Sequence, residues 1–139
     1  MAAYDPDNIF AKILKGEIPC HKIYEDDDTL AFLDIMPRSE GHALVITKER
    51  APDLFDVTPE GLARLMAVVQ KLAPKIKEAV GADGILIQQF NGAVAGQTVF
   101  HLHVHIVPVK EGVPLKPHAG DMANPDDLAM TAEKIRKVV

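Results

Sequence analysis

The sequence predicts an antiparallel α+β fold, and three observations carry that expectation. Five short strand-like runs are spread along the chain, and the first two are joined by a tight polar turn. Only one long stretch has helical periodicity, so helices do not alternate with strands as a doubly wound sheet requires. Near the end, residues 100–106 read Phe-His-Leu-His-Val-His-Ile, a strict two-residue alternation of apolar side chains and histidines that Val107 closes.

The elements follow in chain order. Asp7 or Asn8 can cap a short helix over Ile9 to Lys15, with Gly16 ending it. Lys22 to Glu25 and Thr29 to Leu33 read as strands joined through Asp26, Asp27 and Asp28. Such a cluster serves as a polar turn more often than as a cation site. Ala43 to Thr47 is a third strand after the break at Gly41. Thr58 is an N-cap and Pro59 suits the first helical turn. Leu62, Leu65, Met66, Val69, Leu72, Ile76 and Val80 then form a core-facing stripe. Pro74 interrupts that stripe and predicts a kink or an early stop, with Gly81 as the C-cap. Gly84 to Phe90 and Phe100 to Val109 are the remaining strands, separated by the loop Asn91 to Val99. Leu115 to Asn124 looks irregular, and Asp126 to Val138 forms a last helix.

Composition sets bounds on function. A chain of 139 residues with 47% hydrophobic and 25% charged residues suits one well-buried domain. Its net charge of −5 argues against DNA or RNA as the main partner, because polyanions need a basic footprint. Cys20 is alone, which rules out an intrachain disulfide and a cysteine-rich zinc site. The first residues lack the basic and apolar regions of a signal peptide. No apolar run approaches the roughly 20 residues that span a bilayer. A cytoplasmic protein with no membrane partner is the expectation.

On a strand, His101, His103 and His105 share one face, where packing gives no reason for three imidazoles. Two chemistries use such a ridge. A His-x-His pair can chelate zinc, but the outer histidines lie ~13 Å apart along a strand. No acidic residue stands close in sequence to complete a shell. His42, His118 or Cys20 can do so only if the fold brings them near. Alternatively, a neutral imidazole attacks phosphorus while its neighbours bind phosphate oxygens and move protons. The preceding loop favours phosphorus, since Asn91, Gln97 and Thr98 offer amide and hydroxyl donors beside Gly92 and Gly96.

His101-x-His103-x-His105, led by Gly-Gln-Thr-Val-Phe, resembles the signature of the histidine-triad (HIT) family. Asn8 to Pro19, Tyr24 to Asp27, Ala31 to Ile35 and Gly41 to Lys48 resemble its HINT-type branch. The resemblance covers nearly all of residues 8–109, leaving 110–139 as a variable tail of the same domain. It implies a five-stranded antiparallel sheet with one long helix and short terminal helices. It also implies a homodimer in which two sheets run on as one.

The implied activity is cleavage at the α-phosphate of purine nucleoside phosphoramidates or related anhydrides, without a cofactor. His103 is the implied nucleophile, with His105, His101 and His42 as its supporting histidines. Asn91, Gln97 and Thr98 match positions around the phosphate and leaving group, and Asp34 matches the ribose-binding carboxylate. Ile9, Phe10, Ile13, Ile18, Phe32, Ile35 and Leu44 match the base pocket. Many bacterial members hold a structural zinc through Cys-x-x-Cys at the first helix and a histidine after the third strand. The matching positions here are Asn8, Ala11 and Arg50, which predicts no metal. The segment after the triad also lacks the Gly-Gly of eukaryotic HINT proteins, so the resemblance leaves leaving-group preference open.

Overall fold

Five antiparallel strands form one sheet in the order β1-β2-β3-β5-β4 in the computed structural model, which describes residues 3–139. Met1 and Ala2, part of the N-terminus read above for a signal peptide, lie outside the described residues. The strands are β1 (Lys22–Glu25), β2 (Thr29–Leu33), β3 (Ala43–Thr47), β4 (Gly84–Gln88) and β5 (His103–Val109). The helices are α1 (Ile9–Leu14), α2 (Pro59–Val80) and α3 (Pro125–Arg136). This is the α+β sheet expected from the sequence. Among the described residues no helix is long and apolar enough to cross a membrane.

The first three strands fall where the sequence places them. Asp26 makes the β1–β2 turn, its Oδ1 accepting from the Asp28 and Thr29 amides and from the Thr29 hydroxyl. That carboxylate is spent on turn geometry.

Both faces of the central sheet are covered. Ala31, Leu33, Ala43, Val45, Val104 and Ile106 point under α2 and α3 with Leu65, Leu72, Ile76 and Ile135. Leu30, Phe32, Leu44 and Ile46 form the opposite face and pack with Phe10 of α1. That second face also carries His103 and His105, opposite Ile46 and Leu44 in the β3–β5 register. Alternation of apolar and polar residues over 100–106 predicts a half-buried strand. Instead His103 and His105 are 6% and 3% exposed, because α1 and the tail roof the face that alternation leaves polar.

Four boundaries and packing assignments need correction. First, α2 does not stop at Pro74 but continues to Val80, capped by Thr58 and by Gly81 at φ 66°. Pro74 and Gln70, whose carbonyl loses its i+4 donor, both face solvent, so water can satisfy that group. Second, Met66 is 41% exposed and Val68 takes its place in the buried stripe. Third, β4 ends at Gln88 because Phe90 leaves the ladder and packs on His105, with ring centroids 5.5 Å apart. Fourth, β5 begins at His103 rather than Phe100. Residues 101 and 102 instead dock on the segment after β3, where the Leu102 amide donates to the Ala51 carbonyl at 2.9 Å.

Beyond β5 the chain returns across the loop that joins β2 to β3. The Lys116 amide donates to the Arg38 carbonyl, and the Arg38 guanidinium donates to the Lys116 carbonyl at 3.0 Å. The Ala123 amide donates to the Ile35 carbonyl at 2.8 Å. The segment between these ties passes over the histidine face before α3 begins. Asn124 caps that helix.

Candidate active site

Every expected histidine lies in one buried array, and main-chain groups fix its protons. A backbone N–H can only donate and a carbonyl can only accept, so each such partner dictates a tautomer. The Arg38 amide donates to His42 Nδ1 at 2.9 Å, which leaves the ring proton of neutral His42 on Nε2. That nitrogen lies 2.9 Å from His105 Nδ1, so His42 donates and His105 accepts. His105 therefore carries its own proton on Nε2. This atom is buried with no hydrogen-bond partner among the described residues. An unpaired buried donor is costly unless a ligand acceptor meets it.

The nucleophile candidate is set in the opposite sense. His103 Nδ1–H donates to the His101 carbonyl at 2.7 Å, leaving the Nε2 lone pair available. His101 in turn donates from Nε2 to the Thr47 carbonyl at 2.6 Å and accepts the Tyr4 hydroxyl on Nδ1 at 2.8 Å. Phe10 packs edge-on against His103, with centroids 4.9 Å apart at 89°. The rings of His103 and His105 stand 5.0 Å apart.

Burial holds these imidazoles neutral. Desolvation is the largest cause throughout, and it lowers both His42 and His103 to about 4. Neighbouring His118, Arg38 and His103 add to the effect at His42. His105 is lowered further, first by burial and then by His103 and His42. A neutral imidazole at this position needs no deprotonation to serve as a nucleophile.

The array opens into a cleft of about 140 Å³. All seven residues expected around a base line it: Ile9, Phe10, Ile13, Ile18, Phe32, Ile35 and Leu44. Asp34, Thr98, His103 and His105 line it too. Asp34 Oδ1 accepts the Met36 amide at 2.9 Å, and its Oδ2 lies 3.5 Å from His42 Nε2. Burial raises the Asp34 pKa, and the Met36 amide opposes that rise.

Asn91 and Gln97 do not line the cleft. Gln97 accepts the Gly92 amide and donates to the Pro52 and Val99 carbonyls, so its amide is fully used in shaping the loop. Asn91 is engaged by Gln89 and by the Leu54 amide. Both residues set the path of residues 91–99, and Thr98 and Val99 are the loop residues that line the cleft.

Two metal sites can be tested against these contacts. Asp34, His42 and His105 bring three donor atoms within 4.8 Å of one another, supplying the carboxylate that sequence proximity does not. A neutral His42 binding an ion through Nε2 must carry its proton on Nδ1, where the Arg38 N–H already points. The cluster is built as a hydrogen-bonded chain and does not fit an ion. The structural zinc of bacterial relatives does not fit either. The Asn8 side chain is spent capping α1 on Ala11, Ala11 has no donor, and Arg50 is a cation lying 5.9 Å from the Tyr4 ring centroid. Tyr4 instead completes His101.

The sequence does not single out Tyr4 or Arg38, and it offers His118 only as a possible metal ligand. His118 lines the same cleft from the irregular tail, its ring 5.3 Å from that of His105. No periodicity marks any of the three. Tyr4 acts through a partner 97 residues away, Arg38 acts through its backbone amide, which its side chain does not reveal, and His118 has no regular element to frame it.

Comparison with known proteins places this architecture. A family model described as HIT domain matches residues 15–112. Adenylylsulfatase HINT3 of Arabidopsis thaliana is 44% identical over 105 residues, which is 76% of this chain but only 53% of that protein. Adenosine 5'-monophosphoramidase hnt1 of Schizosaccharomyces pombe is 45% identical over 100 residues, 72% of each chain. A Hit-like protein of Bartonella henselae, crystallised with an unknown ligand, superposes with TM-score 0.92 at 46% identity, covering 99% of this chain and 100% of its own. The chain belongs to the HIT family, in its HINT-like branch.

Proposed function

We propose that this protein is a nucleotide hydrolase that cleaves purine nucleoside phosphoramidates at the α-phosphate, through a nucleotidyl adduct on His103. One observation carries the reading. The free Nε2 lone pair of His103 stands beside the unpartnered Nε2–H of His105, on the wall of a cleft whose other end is apolar. A lone pair next to an idle donor is what attack at a phosphoryl centre requires: one group bonds phosphorus and the other steadies an oxygen.

In the proposed reaction the base lies among Ile9, Phe10, Ile13, Ile18, Phe32, Ile35 and Leu44, and Asp34 accepts from the ribose hydroxyls. His103 Nε2 attacks phosphorus, and the bond to the leaving nitrogen breaks. His105 Nε2–H donates to a phosphoryl oxygen, and Thr98 adds a hydroxyl at the loop side. Water then cleaves the adduct and frees AMP or a similar mononucleotide. The relatives named adenylylsulfatase and adenosine 5'-monophosphoramidase support hydrolysis at a nucleotide phosphorus. The sheet edge supports the homodimer, because β4 is an outer strand and Ile87 is 41% exposed on it. A cytoplasmic protein without a nucleic-acid or membrane partner completes the proposal.

Acid-quenched mass spectrometry with an adenosine phosphoramidate tests this reading. A nucleotidyl mass on wild type that vanishes in His103→Asn supports it. AMP binding with neither adduct nor turnover would instead indicate a nucleotide-binding regulator. Turnover of dinucleoside polyphosphates but not phosphoramidates would move the substrate class within the family.

A further inference from the structure

We infer that His118, carried into the cleft by the C-terminal tail, is the acid that protonates the leaving group. This rests on the proposed function, because it names the proton source that the reaction needs and the triad does not supply. An amine expelled from phosphorus leaves poorly as an anion, so a nearby group must hand it a proton.

The cleft offers few candidates. Its titratable lining is Cys20, Asp34, His103, His105 and His118. His103 holds its one ring proton on the His101 carbonyl and uses its other nitrogen to attack. His105 has a single proton on Nε2, aimed at a phosphoryl oxygen, and its Nδ1 is occupied by His42. Asp34 Oδ1 accepts the Met36 amide, and the proposed reaction gives this carboxylate the ribose hydroxyls, which keeps it an acceptor. Cys20 sits among the apolar residues packed with Phe10 and Phe32, at the base end. That leaves His118.

The tail is built to hold this ring in place. His118 is gripped between Phe90 and His105, with centroids at 5.2 and 5.3 Å. Its Nε2–H donates to the Gly96 carbonyl at 3.3 Å, within the loop that precedes the triad. Nδ1 is then the nitrogen left without a protein partner among the described residues. The hydrogen bonds at Lys116 and Ala123 pin the tail on either side of it. Next to it, Ala119 is the one non-glycine residue with positive φ, at 53°, among the described residues, and it also lines the cleft. A backbone in that region persists where surrounding contacts over-determine it, and such positions cluster at functional sites.

The proton accounting closes over one turnover. As the bond from His103 Nε2 to phosphorus forms, the bond from phosphorus to the leaving nitrogen breaks and that nitrogen keeps the electron pair. It takes the proton from Nδ1 of the His118 imidazolium, which becomes neutral. In the second step water attacks phosphorus, the bond to His103 breaks, and neutral His118 takes the water proton. The imidazolium is restored.

The experiment compares kcat/KM for an N-alkyl adenosine phosphoramidate and for the 4-nitrophenyl ester of AMP, in wild type, His118→Phe and His118→Asn. The first leaving group needs a proton and the second departs as a stable phenolate. The expected result is a loss of ~10²-fold or more on the phosphoramidate in both variants, in the range of acid catalysis, with less than ~3-fold change on the ester. The nucleotidyl adduct should also persist longer in both variants. Equal losses on the two substrates would overturn the acid role in favour of mere positioning, and unchanged kinetics would overturn it outright. If wild type makes no adduct from either substrate, the proposed function itself fails and this inference falls with it.

Discussion

Removing His42 should disable His105 without touching substrate. His42 is 1% exposed and joins the Arg38 amide to His105 Nδ1 through two 2.9 Å hydrogen bonds. In His42→Leu the buried Nδ1 loses its donor. Either it stays unsatisfied, at about 1–3 kcal/mol of folding stability, or the ring proton moves from Nε2 to Nδ1. The second outcome withdraws the donor that we propose meets the phosphoryl oxygen, and losing one such donor costs about 10²–10³ in kcat. His42→Leu should therefore lower kcat by ~10²-fold, with at most a small change in AMP affinity. The double variant His42→Leu/His105→Leu should be no slower than His105→Leu alone, because the two histidines act as one unit. His42→Gln keeps an amide donor on the same side and should recover part of the loss. Stopped-flow turnover with thermal unfolding on each variant provides the measurement. Wild-type kcat in His42→Leu, or losses that multiply in the double variant, would refute the proton chain.

Three further outcomes follow from the same contacts. His42 and His103 titrate near 4 in the folded protein, below the ~6.5 of free histidine, so the unfolded chain binds more protons between those values. Stability contributed by these groups is complete above pH ~6.5 and falls toward pH ~4, by up to about 3 kcal/mol for each group. Urea titrations across that range check this, and a flat profile counts against the buried neutral array. Activity on a substrate with a good leaving group should likewise keep its acid limb near pH ~4 rather than ~6.5. Asp34→Ala should weaken AMP binding by ~1–3 kcal/mol in calorimetry, with unchanged affinity ruling out the ribose contact. Gly41→Ala should destabilise the fold by ~1–3 kcal/mol in thermal or urea unfolding. Gly41 sits at φ +88°, and a Cβ there meets Val80 Cγ1 at 2.9 Å and the Pro108 ring at 3.2 Å. A wild-type midpoint would contradict the crowding argument.

Local chemistry made much of this protein legible in advance. The β1–β2 turn, the caps at Asn8, Thr58 and Gly81, and the alternation of β5 depend on residues a few positions apart, so the sequence displays them directly. The apolar residues that the family resemblance assigns to the base end all line one cleft, although Ile9 and Ile35 remain 44% and 41% exposed. Even the pairing of His103 with His105 on one face follows from a two-residue repeat.

Tertiary structure decided where the protons sit. The Arg38 amide reaches His42, and through it His105 lies 63 residues further along the chain. Thr47 fixes His101 from 54 residues away, and Tyr4 fixes it from 97. Tautomers depend on the direction of one donor or acceptor at about 3 Å, and no pattern of residue types encodes that direction. The same holds for Gln97 and Asn91, whose amides suit a phosphate by type but are consumed by the loop in the fold. It holds also for His118, unremarkable in an irregular tail until two hydrogen-bonded ties lay that tail across the triad. The sequence alone named the imidazoles and the face they share. Folding alone chose which nitrogen is free to attack, which one donates, and which further histidine stands within reach.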